Sequence, residues 1–164
     1  MYFSHPDVSI LDGGMKKWKQ ENLPLETKSN GFKPAKFSGK INPKIISGFE
    51  YIHDNLNHLK ILDARSQGEF HGSVIRAAQA GHIPHAINID WNLNLNEDGT
   101  FKNDEELSKL YDIPKNSEIV TYCQGAYRAA NTFLVLKKLG FENVRVYLGS
   151  WGEWGNRLEL PVTK

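Results

Sequence analysis

Short apolar runs alternate with helical patterns through most of this chain, and that alternation limits the fold more than any other feature. "KILDA" (60–64), "SEIVTYC" (117–123) and "VRVYL" (144–148) read as buried strands. They are apolar throughout rather than on every second residue, as strands covered on both faces are. A shorter strand is expected at "KIIS" (44–47), and another at Ala86–Ile89, after the Gly/Pro turn of "AGHIPHAINIDW" (80–91). Between them lie helix signals. Ser47 with Glu50, Ser66 with Glu69, and Ser150 with Glu153 have capping-box spacing, and Asn103 or Asp104 can cap a helix through Leu110. Leu134, Leu136 and Leu139 give a further helix its apolar face, and Gly140 stops it. Strands alternating with helices predict an α/β fold, a mostly parallel sheet with helices on both faces.

The two ends of the chain repeat each other. "DVSILDGGMKKWKQENLPL" (7–25) matches "NVRVYLGSWGEWGNRLELPV" (143–162), each a strand, a Gly turn, a helix carrying Trp, and a Leu-Pro exit. The first copy has no body before it. The simpler expectation is that residues 1–28 are the remnant tail of an upstream domain; two similar units within one fold are the alternative. "KSNGFKPAKFSGKINP" (28–43) is rich in Lys, Gly, Ser and Pro and reads as a linker, over about 29–41. The complete domain then spans 42–164.

Composition excludes several classes. The 164 residues are 40% hydrophobic and 24% charged, with a net charge of +1. Such a balance gives no field for nucleic acid or an acidic membrane. No apolar run approaches a membrane span, and no signal peptide is apparent. The chain has one cysteine and no Cys/His cluster with zinc spacing. A cytoplasmic, metal-free protein is expected.

The one cysteine, Cys123, stands at the carboxyl end of a strand, where open α/β sheets bind ligands. The turn "CQGAYR" joins that strand to a helix. Its Gln124, Gly125, Ala126, Tyr127 and Arg128 expose backbone N–H groups without helical partners. Those groups, the helix dipole and the Arg128 cation would stabilise a thiolate at Cys123. Gly125 lets the backbone pass close to that centre. A buried, inert cysteine is the plainer alternative. Four residues separate Cys123 from Arg128. Such a ring is tight for a tetrahedral phosphate and suits a single sulfur atom.

"ILDARSQGEF", "GHIPHAINIDW", "VTYCQGAYRAAN" and "VRVYLGSWGEWGNRLELPV" together resemble the rhodanese-like sulfurtransferases. The match is to the C-terminal, catalytic half of the tandem two-domain thiosulfate/3-mercaptopyruvate type. The resemblance implies the rhodanese-like three-layer fold and a double-displacement reaction. Cys123 would take a sulfane sulfur from a donor, hold it as a persulfide, and yield it to cyanide or a thiol. Residues 124–128 would bind the terminal sulfur. Thiosulfate-specific members carry a cation two residues after the cysteine, here Gly125, and an Arg at the place of Glu69. The Gly-Ser-Gly-Val-Thr run of mercaptopyruvate-type members is also absent. Thiosulfate is favoured because Arg128 suits a dianion, and Arg76 is a second cation within reach of the loop. A non-catalytic sulfur-carrier or partner-binding module, and a Cys-dependent phosphatase or arsenate reductase, are the alternatives.

Other residues carry weaker expectations. Asp63 and Arg65 end a strand on the same edge; they either brace the loop, meet the donor, or form a structural ion pair. His82 and His85 are read as structural before catalytic, and Trp151 and Trp154 as packing before pocket. The resemblance places the donor pocket between two domains. A homodimer or a complementary N-terminal domain is therefore a possible partner.

Overall fold

The computed structural model describes residues 1–5 and 7–164. Five strands form one all-parallel sheet: β1 (Ile46–Ser47), β2 (Lys60–Asp63), β3 (Ile87–Asn88), β4 (Ile119–Tyr122) and β5 (Val144–Tyr147), in the order β1-β5-β4-β2-β3. The helices are α1 (Gly14–Gln20), α2 (Phe49–Asp54), α3 (Gln67–Phe70), α4 (Asp104–Leu110), α5 (Tyr127–Lys138) and α6 (Ser150–Trp154). A 3-10 turn covers Trp91–Asn94. The α/β expectation is met.

Sheet side chains alternate between two apolar layers, because successive Cβ atoms point to opposite faces. On one face Leu62, Ile119, Val144 and Val146 pack with Leu107 of α4 and Ala129, Phe133 and Leu136 of α5. On the other Ile61, Val120, Tyr122 and Tyr147 pack with Ile52 of α2 and Trp151 and Trp154 of α6. The three layers follow directly. β4 is buried at every residue and lies between β2 and β5. Its carboxyl end is therefore the most enclosed point of the sheet edge.

Capping signals held in part. Ser66 and Glu69 form a complete capping box on α3, and the Asn103 side chain accepts the Glu106 N–H on α4. Ser47 does not cap α2: Gly48 takes that place, and the Ser47 hydroxyl is buried with no partner among the described residues. The reason is register. Ser47 is the last residue of β1, paired with Tyr147, so its backbone belongs to the sheet.

The repeat between the ends survives in geometry. Trp18 Nε1 donates to Pro24 O at 2.8 Å, and Trp154 Nε1 donates to Pro161 O at 2.9 Å. Gly14 and Ser150, which align, both have positive φ, 55° and 51°. The copies differ in support. α6 buries Ser150, Trp151 and Trp154, whereas α1 buries nothing. The strand expected at the start of the first copy is not formed: residues 7–11 make no sheet pairing. An isolated strand has no ladder to join. The segment is tethered instead by Lys17 to Asp98 at 2.7 Å and by the Asp12 carboxylate, which accepts the Phe101 N–H. Residues 22–45 contain neither helix nor strand. Among the described residues no helix is long and apolar enough to cross a membrane.

Candidate active site

The site forms where the carboxyl ends of β4 and β5 meet the first residues of α5 and α6. Tyr122 ends β4 and Cys123 follows it; α5 begins at Tyr127. The chain turns through Ala126, whose φ of 68° is left-handed. For a residue with a Cβ that conformation costs roughly 1–2 kcal/mol, so neighbours must hold it. The start of α6 does so. Trp151 N–H donates to Cys123 O and Gly152 N–H to Gln124 O, each at 2.9 Å. A Cβ on Gly152 would stand 2.9 Å from Gln124 O, so glycine permits that approach.

Ser150 is the residue that capping spacing misplaced. Its side chain does not cap α6. The buried hydroxyl donates to Tyr147 O at 2.8 Å and accepts the N–H groups of Cys123 at 3.2 Å and Ala126 at 3.1 Å. One side chain thus fixes both ends of the cysteine turn. The N–H groups of Gln124, Gly125 and Arg128 have no hydrogen-bond partner among the described residues. They are the donors this turn has left to offer an anion.

Cys123 is 1% exposed and belongs to the buried apolar cluster that also holds Leu62, Ala64 and Ala129, as the plainer alternative of a core cysteine expects. It directly follows the last residue of β4, and its side chain is near enough to the Arg128 guanidinium to contribute to that cation's raised pKa. Arg128, read from the sequence as the cation that closes the loop, is paired with Glu69. Its Nη1 donates to Glu69 Oε2 at 2.7 Å and its Nη2 to Glu69 Oε1 at 3.0 Å. Glu69 is 3% exposed. Its Oε2 also accepts the Ser66 N–H and hydroxyl, and Arg76 Nε lies 3.2 Å from Oε1. Burial works to raise the Glu69 pKa, but the hydrogen bonds from Arg128 and Ser66 outweigh it and hold the carboxyl at about 2. The same pair raises Arg128 above its ordinary value, against burial, with a smaller contribution from the Cys123 side chain. Arg76 is the exposed cation of the group, and Gln124 Nε2 donates to its carbonyl at 3.1 Å.

Asp63 and Arg65 are buried, 0% and 1% exposed. Arg65 Nη2 donates to Asp63 Oδ2 at 2.6 Å and to Gly81 O at 2.8 Å. Its guanidinium stacks 4.4 Å from the Trp151 ring. The pair therefore braces α6, whose first amides hold the cysteine turn, and does not reach solvent where a donor would enter. Trp151 and Trp154 are packing residues. His82 stacks on Phe70 and shares a hydrogen bond with its carbonyl at 3.0 Å; burial keeps its pKa below the usual value. His85 is exposed in the turn at a φ of 65°. Tyr127 is 90% exposed at the rim of a hollow of about 370 Å³ lined by Gly125, Ala126, Tyr127, Ala130 and Leu148.

The chain is 37% identical to the "Sulfur carrier protein TtuD" of Thermus thermophilus, over 99% of this chain and 64% of that protein. It is 35% identical to a Mycobacterium leprae protein named "Putative thiosulfate sulfurtransferase", over 98% of this chain and 62% of that one. The chain thus spans a little under two thirds of these relatives. Wild-type EanB superimposes with a TM-score of 0.89 at 22% identity, over 99% of this chain and 42% of EanB. A variant of EanB in complex with ergothioneine gives 0.90, also at 22%, over 100% and 43%. Those likenesses show the fold. The model of the Rhodanese-like domain matches residues 49–157, which include the whole cysteine turn and its α6 support, and the chain belongs to that family.

Proposed function

We propose that this chain is a thiosulfate sulfurtransferase-like enzyme that moves a sulfane sulfur through a persulfide on Cys123. The observation that carries the reading is the turn itself. The one cysteine, buried, opens a turn whose first two carbonyls are pinned by α6 and whose Gln124, Gly125 and Arg128 amides have no partner among the described residues. In the first half-reaction the Cys123 thiolate attacks the outer sulfur of thiosulfate. The S–S bond of the donor breaks and sulfite leaves with its electron pair. In the second, cyanide or a thiolate attacks the terminal sulfur, and the Cys123 thiolate departs and is regenerated. The unused amides would hold the anionic terminal sulfur as an oxyanion hole holds developing charge.

The names of the relatives support sulfur transfer, and the name of the Mycobacterium leprae relative supports thiosulfate as the donor. Arg128 supports it less than expected, since Glu69 takes up its fork. Arg76, with 58% of its side chain exposed, is the cation better placed to meet an incoming dianion. The Thermus relative's name favours a second reading, a carrier that hands its sulfur to a partner protein's thiol. We read residues 42–164 as the catalytic domain and 1–28 as the tail of an upstream rhodanese-like domain, supported by the matching Trp–Pro contacts.

The test is thiocyanate formation from thiosulfate and cyanide. Turnover by the wild type and none by Cys123→Ser supports the enzyme. Loading by thiosulfate without release to cyanide supports the carrier. Release of phosphate from an aryl phosphate, without sulfur loading, overturns both.

A further inference from the structure

We infer that Glu69 is a positioning residue of the cysteine turn: from α3 it holds the Arg128 guanidinium in place across the turn, and through that cation keeps Cys123 reactive. The inference rests on the reading of Cys123 as the nucleophile. Glu69 is outside the turn by 54 residues or more in sequence, and a capping box alone would explain its presence there. Its contacts go further. The Ser66 N–H donates to Oε2 and the Glu69 N–H to the Ser66 hydroxyl, which completes the box, and the hydroxyl donates to Oε2 as well. The carboxylate is then also gripped by both terminal nitrogens of Arg128, with Arg76 alongside. Capping carboxylates normally sit in water; this one is 3% exposed. A buried carboxylate without a partner is strongly destabilising, so Glu69 requires a cation as much as Arg128 requires an anchor.

The need for an anchor is physical. Arg128 stands in the first turn of α5, and its side chain is 24% exposed. A guanidinium on such a stem samples many rotamers unless it is held. The two parallel hydrogen bonds fix its plane before any substrate arrives. Arg76, more exposed and joined to Glu69 by one nitrogen, stays the adjustable cation.

The chain contains one cysteine, so the alkylation rate of the full-length protein by iodoacetamide reports on Cys123 alone. Glu69→Gln, Arg128→Gln and the double variant form a cycle, measured well below the melting temperature of each. Glu69→Gln is expected to slow alkylation about 10-fold in the wild-type background and less than about 2-fold in the Arg128→Gln background, since coupled residues are non-additive. Glu69→Asp keeps the charge on a shorter stem and should fall between; it replaces Gln in the cycle if Glu69→Gln does not fold. Equal factors in the two backgrounds, or an unchanged rate in a folded Glu69 variant, overturn the inference. Wild-type protein that alkylates readily but loads sulfur from no donor refutes the proposed function instead.

Discussion

Ser150 shows how much one side chain carries here. Its hydroxyl is the acceptor for two N–H groups and a donor to Tyr147 O, all out of water. Ser150→Ala leaves the Cys123 and Ala126 amides without that acceptor. The expected cost is about 1–3 kcal/mol for each group left unsatisfied, read as a lower thermal midpoint, together with slower sulfur loading. Ser150→Thr retaining full loading and stability would fit a role for the hydroxyl alone. Arg65→Met makes a different point. It strands Asp63 at 0% exposure and removes the stack on Trp151, so about 3–5 kcal/mol should be lost in denaturant titration. At this scale Cys123 and Arg128 were legible, because residue type, strand end and spacing are local facts. Ser150 and Glu69 were not. Both look like local caps in sequence, and both make their decisive bonds to residues 24 or more positions away.

Among the elements, the central strands and α5 were the most legible, since their apolar runs have no other use. Leu136 on α5 is fully buried against the sheet; Leu136→Ala should cost about 2–5 kcal/mol by opening a cavity under the helix that carries Arg128. Calorimetry checks the size, and the persulfide yield at low temperature should stay near wild type, because the turn is held from α6. The edge elements were less legible. Ser47 has the spacing of a cap but the pairing of a strand, and 7–11 has the composition of a strand but no neighbour to pair with. A strand is defined by its partner, which the sequence does not show.

For the whole molecule, acid is the informative perturbation. The folded Glu69 pKa of about 2 lies below its ordinary value of 4.5. A depressed carboxyl contributes stability that is present above the unfolded pKa and is lost as pH falls toward the folded one. On the order of 3 kcal/mol should therefore disappear between about pH 4.5 and pH 2. Glu69→Gln should flatten that part of the stability profile, measured by urea unfolding across the range. The division of the chain is testable in the same way. α1 buries nothing, so a protein of residues 42–164 should melt cooperatively within a few degrees of the full chain.

Intact mass after exposure to thiosulfate tests most directly whether Cys123 accepts one sulfur atom. The predicted result is a gain of a single sulfur atom, removed by cyanide and absent from Cys123→Ser. An unchanged mass with every sulfane donor tried, or the same gain in Cys123→Ser, would contradict it.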